Sequence, residues 1–158
     1  MKPTADLCDE FGDRVRVLEP ALQDFGAVTV FSGRVVTLKV FEDNALVRAT
    51  LETPGEGRVL VIDGAASVRC ALVGGQLGQL AERHRWAGVV VWGAVRDSEE
   101  LRQCQVGIRA LATNPRKSAK HGAGARDVPV TIAGTTIQPG QWLAADADGI
   151  VVSDRELA

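Results

Sequence analysis

The chain has little of what most redox, zinc or nucleic-acid chemistries require. Among its 158 residues are 3 cysteines and 2 histidines, and only 4% are aromatic. Cys8, Cys70 and Cys104 are odd in number, dispersed, and show no C-x-x-C spacing. That argues against a disulfide framework and a zinc site, and suits buried free thiols in a reducing compartment. Trp86, Trp92 and Trp142 stand apart in the sequence, so they read as core or interface packing and not as a base-stacking platform. Charge is nearly balanced, with a formal net charge of -2 and a pI near 5.7. Nothing there provides a basic footprint for direct contact with nucleic acid. No apolar run approaches the roughly 20 residues needed to span a bilayer, and the N-terminus lacks a signal peptide's apolar core. The expectation is a cytoplasmic protein with no membrane contact, one domain over residues 1–158 with enough chain for a real core. No lysine lies in a strand context that suggests a Schiff base, and no G-x-G loop follows an early strand to receive S-adenosylmethionine.

What the chain does have is concentrated in two segments. Val89-Val90-Val91-Trp92-Gly93-Ala94-Val95 reads as a buried strand, and it delivers Arg96 and Asp97 at its C-terminal end. In open α/β folds that end is where ligands bind. Neighbouring side chains on extended backbone point apart, so the guanidinium can grip an anionic oxygen while the carboxylate holds a cation. The plainer alternative is that Asp97-Ser98-Glu99-Glu100 caps a helix and supplies its acidic first turn. Upstream, Gly74-Gly75-Gln76-Leu77 opens an amphipathic helix whose Leu77, Leu80 and Ala81 share one face. Glycines at a helix start let backbone N–H groups approach a carboxylate or phosphate closely.

Along the chain the pattern predicts a helix over residues 4–11, begun by a capping Thr or Asp and ended by Gly12. Strands follow over 28–31 and 34–41, then a helix over 43–51 closed by Pro54-Gly55. Further strands are expected over 58–63, 108–113, 128–132, 142–145 and 150–152. Helices interleaved early and strands clustered late suggest stacked sheets with a helical layer. The basic segment 116–126 reads as a solvated mobile connection, with a rim closing over a site as the sharper alternative. Glu42-Asp43 most simply caps the following helix, and a carboxylate lent across a subunit boundary is the other reading. Asp146 and Asp148-Gly149 read as turn residues, and His84 and His121 as solvated.

Taken in order, these segments resemble the RraA-like family, which includes regulators of RNase E activity and metal-dependent 4-hydroxy-4-methyl-2-oxoglutarate aldolases that also decarboxylate oxaloacetate. The resemblance runs through Thr4-Ala5-Asp6-Leu7-Cys8-Asp9, Phe41-Glu42-Asp43-Asn44, Val59-Leu60-Val61-Ile62-Asp63-Gly64, Gly93-Ala94-Val95-Arg96-Asp97 and Gly107-Ile108-Arg109-Ala110-Leu111. It closes on Pro139-Gly140, Asp146 and Asp148-Gly149-Ile150-Val151-Val152. It implies an α/β chain with the three-layer β/β/α swivelling fold of phosphohistidine domains. It also implies a homotrimer or dimer of trimers with sites near subunit boundaries.

The chemistry implied is cleavage of a carbon–carbon bond beside a 2-oxo acid, leaving a pyruvate enolate. Asp97 matches the family's ligand for a divalent cation, and an oxygen-only site with several waters suits Mg²⁺ or Mn²⁺. Arg96 matches the residue that pairs with the substrate oxyanion or carboxylate, and Gly74, Gly75, Gln76 and Leu77 match the substrate-binding turn. Aldolases of the family carry an acid where this chain has Gly75, and glycine cannot shuttle a proton. Decarboxylation of oxaloacetate, which asks less of the protein, is therefore expected to outrank aldol cleavage. The alternative is a non-catalytic regulator that binds an RNase E-type partner, with Asp97 favouring the enzyme and Gly75 the regulator.

Overall fold

The computed structural model describes residues 1–157. Its first half comprises α1 (Thr4–Phe11), β1 (Arg16–Val17), β2 (Gln23–Asp24), β3 (Phe31–Lys39), α2 (Ala45–Leu51), β4 (Val59–Asp63) and β5 (Ala71–Val73). The second half comprises α3 (Gly75–Arg83), β6 (Gly88–Val95), α4 (Ser98–Leu101), β7 (Gly107–Thr113), β8 (Ala125–Arg126), β9 (Val130–Ile132), β10 (Thr135–Ile137), β11 (Trp142–Asp146) and β12 (Gly149–Ser153). A ten-stranded sheet follows the path β1-β12-β11-β3-β4-β6-β7-β2, with β5 paired to β6 and β8 to β3 off that path, while β9 and β10 form a separate hairpin.

Strand β3 joins two sheet regions. Its N-terminal half pairs antiparallel with β11, and its C-terminal half pairs parallel with β4. The parallel strands β3, β4, β6 and β7 are apolar on both faces because both faces are covered. Leu60 and Ile62 of β4, and Val89 and Val91 of β6, face the layer of α2, α3 and α4. Val59, Val61 and Val90 face the opposite way, against Leu143, Ala145, Ile150 and Val152 of the antiparallel region. That region's outer face, with Trp142, Ala144 and Val151, is closed by Leu7 of α1. The stacked-sheet-and-helix architecture expected from the sequence is thus present. All three cysteines are free, with Cys70 and Cys104 buried, and Trp86 and Trp142 are buried as packing residues. Among the described residues no helix is long and apolar enough to cross a membrane.

Several local expectations differ. No strand spans 28–31; instead Phe25, Ala27 and Val28 send their N–H groups to Ile108, Cys104 and Val106, and the ladder starts at Phe31. The predicted strand over 34–41 ends at Lys39, because the chain turns through Glu42 at φ 53°. The side chain of Thr4 does not cap α1. Its hydroxyl and backbone N–H both donate to Asp146, at 2.7 Å each, fastening the helix to the end of β11. Asp146, expected only to form a turn, is therefore a tertiary fastening.

Two strand glycines pack closely against one aromatic ring. Gly88 and Gly107 are register partners on β6 and β7. A Cβ on either would lie 2.4 Å or 2.1 Å from the Phe31 ring. Gly107→Ala is expected to destabilise the fold by about 1–3 kcal/mol through overpacking, read as a shift in urea midpoint. Phe31→Leu in the same chain should recover part of the loss; a full, additive loss would place the strain elsewhere. Acid should act through Asp146. Burial raises its pKa, but bonds from Thr4, Asp148 and Gly149 outweigh this and hold it below the ordinary carboxylate value. A depressed folded value means its stabilisation is complete above the unfolded pKa of about 3.9 and lost as pH falls through the folded one. The gap in urea midpoint between wild type and Asp146→Asn should accordingly close between pH 5 and pH 2 (~3 pH units).

Candidate active site

The C-terminal ends of β5 and β6 lie together, and the chain leaves each by a tight turn into a helix. Arg96 N–H donates to Val73 O at 2.9 Å, so the turn after β6 is held against the turn into α3. Asp97 then adopts a left-handed backbone, φ 57° and ψ 46°, a region that Asp and Asn tolerate better than other side-chain-bearing residues. Its carbonyl accepts the N–H of Leu101 and starts α4. Its side chain does not cap α4. Asp97 Oδ2 instead accepts the N–H of Gly75 at 2.9 Å, capping α3 from outside. Oδ1 has no hydrogen-bond partner among the described residues and remains available.

Gly74 and Gly75 are what permit this approach. A Cβ on Gly74 would lie 2.8 Å from Asp97 Oδ2 and 3.2 Å from Arg96 Cγ. A Cβ on Gly75 would lie 2.0 Å from Glu100 Oε2. The space that a side chain at position 75 would fill is thus already occupied by a carboxylate. It arrives from α4, one helical turn beyond Asp97. Two carboxylates therefore converge on the backbone of Gly75, one by hydrogen bond and one by contact. The N–H of Gly75 is used by Asp97, which leaves Gln76 and Leu77 to present N–H groups at the start of α3.

These residues line a cavity of about 280 Å³ together with Asn44, Arg48, Lys117, Ser118 and Lys120. All six predicted positions, Gly74, Gly75, Gln76, Leu77, Arg96 and Asp97, are brought together there. Arg96 donates to Pro115 O at 3.3 Å. Arg48 donates to Gln76 Oε1 at 3.0 Å, and Lys120 Nζ to Asn44 Oδ1 at 3.1 Å. Four cationic side chains and two carboxylates line the cavity, an arrangement for an anionic ligand with a small acidic corner.

Sequence reasoning missed Glu100, Arg48 and the lysines. Glu100 carried a signal: it lies three residues after Asp97, hence on the same helical face. The segment 116–126 is not a free connection. It is hydrogen-bonded along its length and forms the rim, the sharper of its two readings. Glu42 lies outside the cavity lining. Ser67 Oγ and Arg69 Nε donate to its carboxylate at 2.6 Å and 2.7 Å, and Arg69 first, then Ser67, holds its carboxyl below the ordinary value.

The model of the RraA-like family, described as Aldolase/RraA, matches residues 4–152. The chain belongs to the RraA-like family. A Burkholderia multivorans protein bearing the provisional name 4-hydroxy-4-methyl-2-oxoglutarate aldolase is 61% identical over 98% of this chain and 97% of its own length. A Burkholderia mallei protein of the same provisional name is 59% identical over 99% and 98%. Among solved structures, the RNA-processing inhibitor RraA from Thermus thermophilis superposes with a TM-score of 0.97 at 47% identity, over 100% of this chain and 96% of the other. A Geobacillus kaustophilus protein described as an S-adenosylmethionine:2-dimethylmenaquinone methyltransferase superposes with a TM-score of 0.95 at 46% identity, over 99% and 97%. The architecture is that of the RraA-like structures, and the two Burkholderia relatives carry the name of a carbon–carbon lyase.

Proposed function

We propose that this RraA-like chain is a metal-dependent 2-oxo acid lyase that releases pyruvate, by aldol cleavage of 4-hydroxy-4-methyl-2-oxoglutarate or decarboxylation of oxaloacetate. The observation that carries this reading is the convergence of Asp97 and Glu100 on Gly75, beside Arg96 and within a cationic wall. The donor set suits Mg²⁺ or Mn²⁺: carboxylate oxygens and no histidine or cysteine in the lining. Asp97 would hold the ion through the oxygen that Gly75 leaves free. Once bound, such an ion supplies Lewis-acid stabilisation of the enolate charge that develops as the bond breaks.

The chain's own groups do the rest. Arg96 places its guanidinium fork on the 2-oxo or adjacent carboxylate oxygen. The N–H groups of Gln76 and Leu77 favour the same anionic end. Aldol cleavage requires removal of the proton from the tertiary alcohol, and Glu100 is the carboxylate placed to take it and return it to the enolate carbon. A proton carrier is therefore present although position 75 is glycine, so aldol cleavage no longer ranks below decarboxylation. A second reading, a regulator of an RNase E-type ribonuclease, is supported by the description of the Thermus neighbour as an RNA-processing inhibitor.

Asp97→Asn keeps a residue that tolerates the left-handed backbone but removes its charge. It should abolish Mg²⁺-dependent pyruvate release from oxaloacetate, corrected for the ion's own background, with an unchanged thermal melt. Wild-type rates in that variant would end the lyase mechanism. Glu100→Gln should lower cleavage of 4-hydroxy-4-methyl-2-oxoglutarate by roughly 10²–10⁴-fold and affect oxaloacetate less. Gly75→Ala should act through the same group, so combining the two should add little. The same reading carries an oligomer, a homotrimer or dimer of trimers. Phe41 and Val68, 57% and 42% exposed, leave apolar surface for subunit contact. Light scattering at micromolar concentration should give a mass of three or six chains, and a monomer would overturn the assembly.

A further inference from the structure

The segment from Arg116 to Gly124 runs along the cavity and contributes Lys117, Ser118 and Lys120 to its lining. It forms no helix or extended ladder before β8, so its place must come from individual bonds. Ala71 N–H donates to Arg116 O at 2.8 Å, Asn44 N–H to Ala119 O at 3.0 Å, and Ala119 N–H to Glu42 O at 2.9 Å. Those are backbone pairs, open to almost any sequence. The next attachment depends on one side chain.

Asp43 is 3% exposed. Its Oδ2 accepts the N–H groups of His121 at 2.9 Å and Ala123 at 3.3 Å. Its Oδ1 accepts those of Gly122 at 3.3 Å and Ala45 at 3.0 Å. The side chain of Asn44, at the N-cap of α2, does not cap the helix, and a local Asx turn at Asp43 requires only the bond from Ala45. The other three wrap successive N–H groups of the rim around one carboxylate, an anion-binding nest. Gly122 and Gly124, at φ 86° and 133°, supply the curvature. Burial works against the charged form of Asp43, but the four N–H donors outweigh it and hold its carboxyl below the ordinary value. Adjacent to Asp43, Asn44 Oδ1 accepts Lys120 Nζ, so the lysine and the fastening share two consecutive residues.

We infer that Asp43 is a positioning residue of the substrate site: by fixing residues 121–123 it holds Lys120 at the cavity rim, where the lysine meets the substrate carboxylate remote from Arg96. The nature of the ligand rests on the lyase reading above; the fastening itself does not. Asp43 touches no substrate and acts only through the segment it holds.

The test uses the full chain with Mg²⁺ and two probes, 2-oxoglutarate, which has a second carboxylate, and pyruvate, which does not. Calorimetry should show Asp43→Asn weakening 2-oxoglutarate about tenfold, the loss of roughly one charge-assisted hydrogen bond, while pyruvate stays within about twofold. Lys120→Gln, on an exposed side chain that does not threaten folding, should produce the same split. The double variant should bind no worse than either single one. Brief trypsin treatment with mass spectrometry should show faster cleavage after Lys117 and Lys120 in Asp43→Asn. Equal weakening of both probes, additive losses, or unchanged cleavage would each overturn the positioning role. Failure of the wild type to bind either probe overturns the lyase reading instead, and the tryptic comparison then still decides whether Asp43 holds the segment.

Discussion

One hydrogen bond organises the candidate site: the N–H of Gly75 to Oδ2 of Asp97. It joins the turn after β6 to the start of α3, and three requirements meet in it. Position 75 must lack a side chain, or Glu100 is displaced. Position 74 must lack one, or Asp97 and Arg96 cannot approach. Asp97 must accept a left-handed backbone to aim its carboxylate across the turn. The N–H also spends one carboxylate oxygen and leaves the other free, dividing a single group between holding the structure and offering a ligand.

The polar interior follows a related rule. The buried Asp43 and the half-buried Asp146 are held by backbone N–H groups, with the Thr4 hydroxyl added at Asp146, and neither is paired with a cation among the described residues. Asp43 collects four such donors and Asp146 fastens Thr4. A carboxylate bound this way imposes geometry on the main chain that donates to it. A salt bridge between flexible side chains would impose much less. In both cases the acid lies far in sequence from the segment it fixes: Asp43 holds a rim that has no regular secondary structure, and Asp146 ties the start of α1 to the end of β11. Of the four cavity cations, Arg48 has an ion-pair partner, Glu52 at 3.6 Å, and Arg96, Lys117 and Lys120 have none among the described residues.

Much of the architecture could be read directly. The run from Val89 to Val95 had to be a strand buried on both faces, and the glycine-led helix had to begin beside it. The Arg96–Asp97 pair was legible because a strand end is a local feature. What could not be read was where other chain segments arrive. Glu100 looked like helix-terminal charge because its partner surface, the bare backbone of Gly75, lies far upstream. The basic segment looked mobile because its glycine and lysine content is that of a solvated loop, and the aspartate that pins it is remote in sequence. Thr4 looked like a cap for the same reason, until Asp146 claimed its hydroxyl.

By itself, the sequence determined the alternation of strands and helices, the apolar layers and the family. Each of these is written in local periodicity or in ordered motifs along one strand or helix. Only the tertiary structure decided which acid serves the site. It also decided whether Asp97 caps its own helix or another, and whether the basic segment is rim or linker. Those choices turn on distances between remote backbone groups, set by how β3 bridges its two sheet regions and brings the turns after β5 and β6 side by side. No local pattern encodes such a distance, because it depends on packing summed over the whole core.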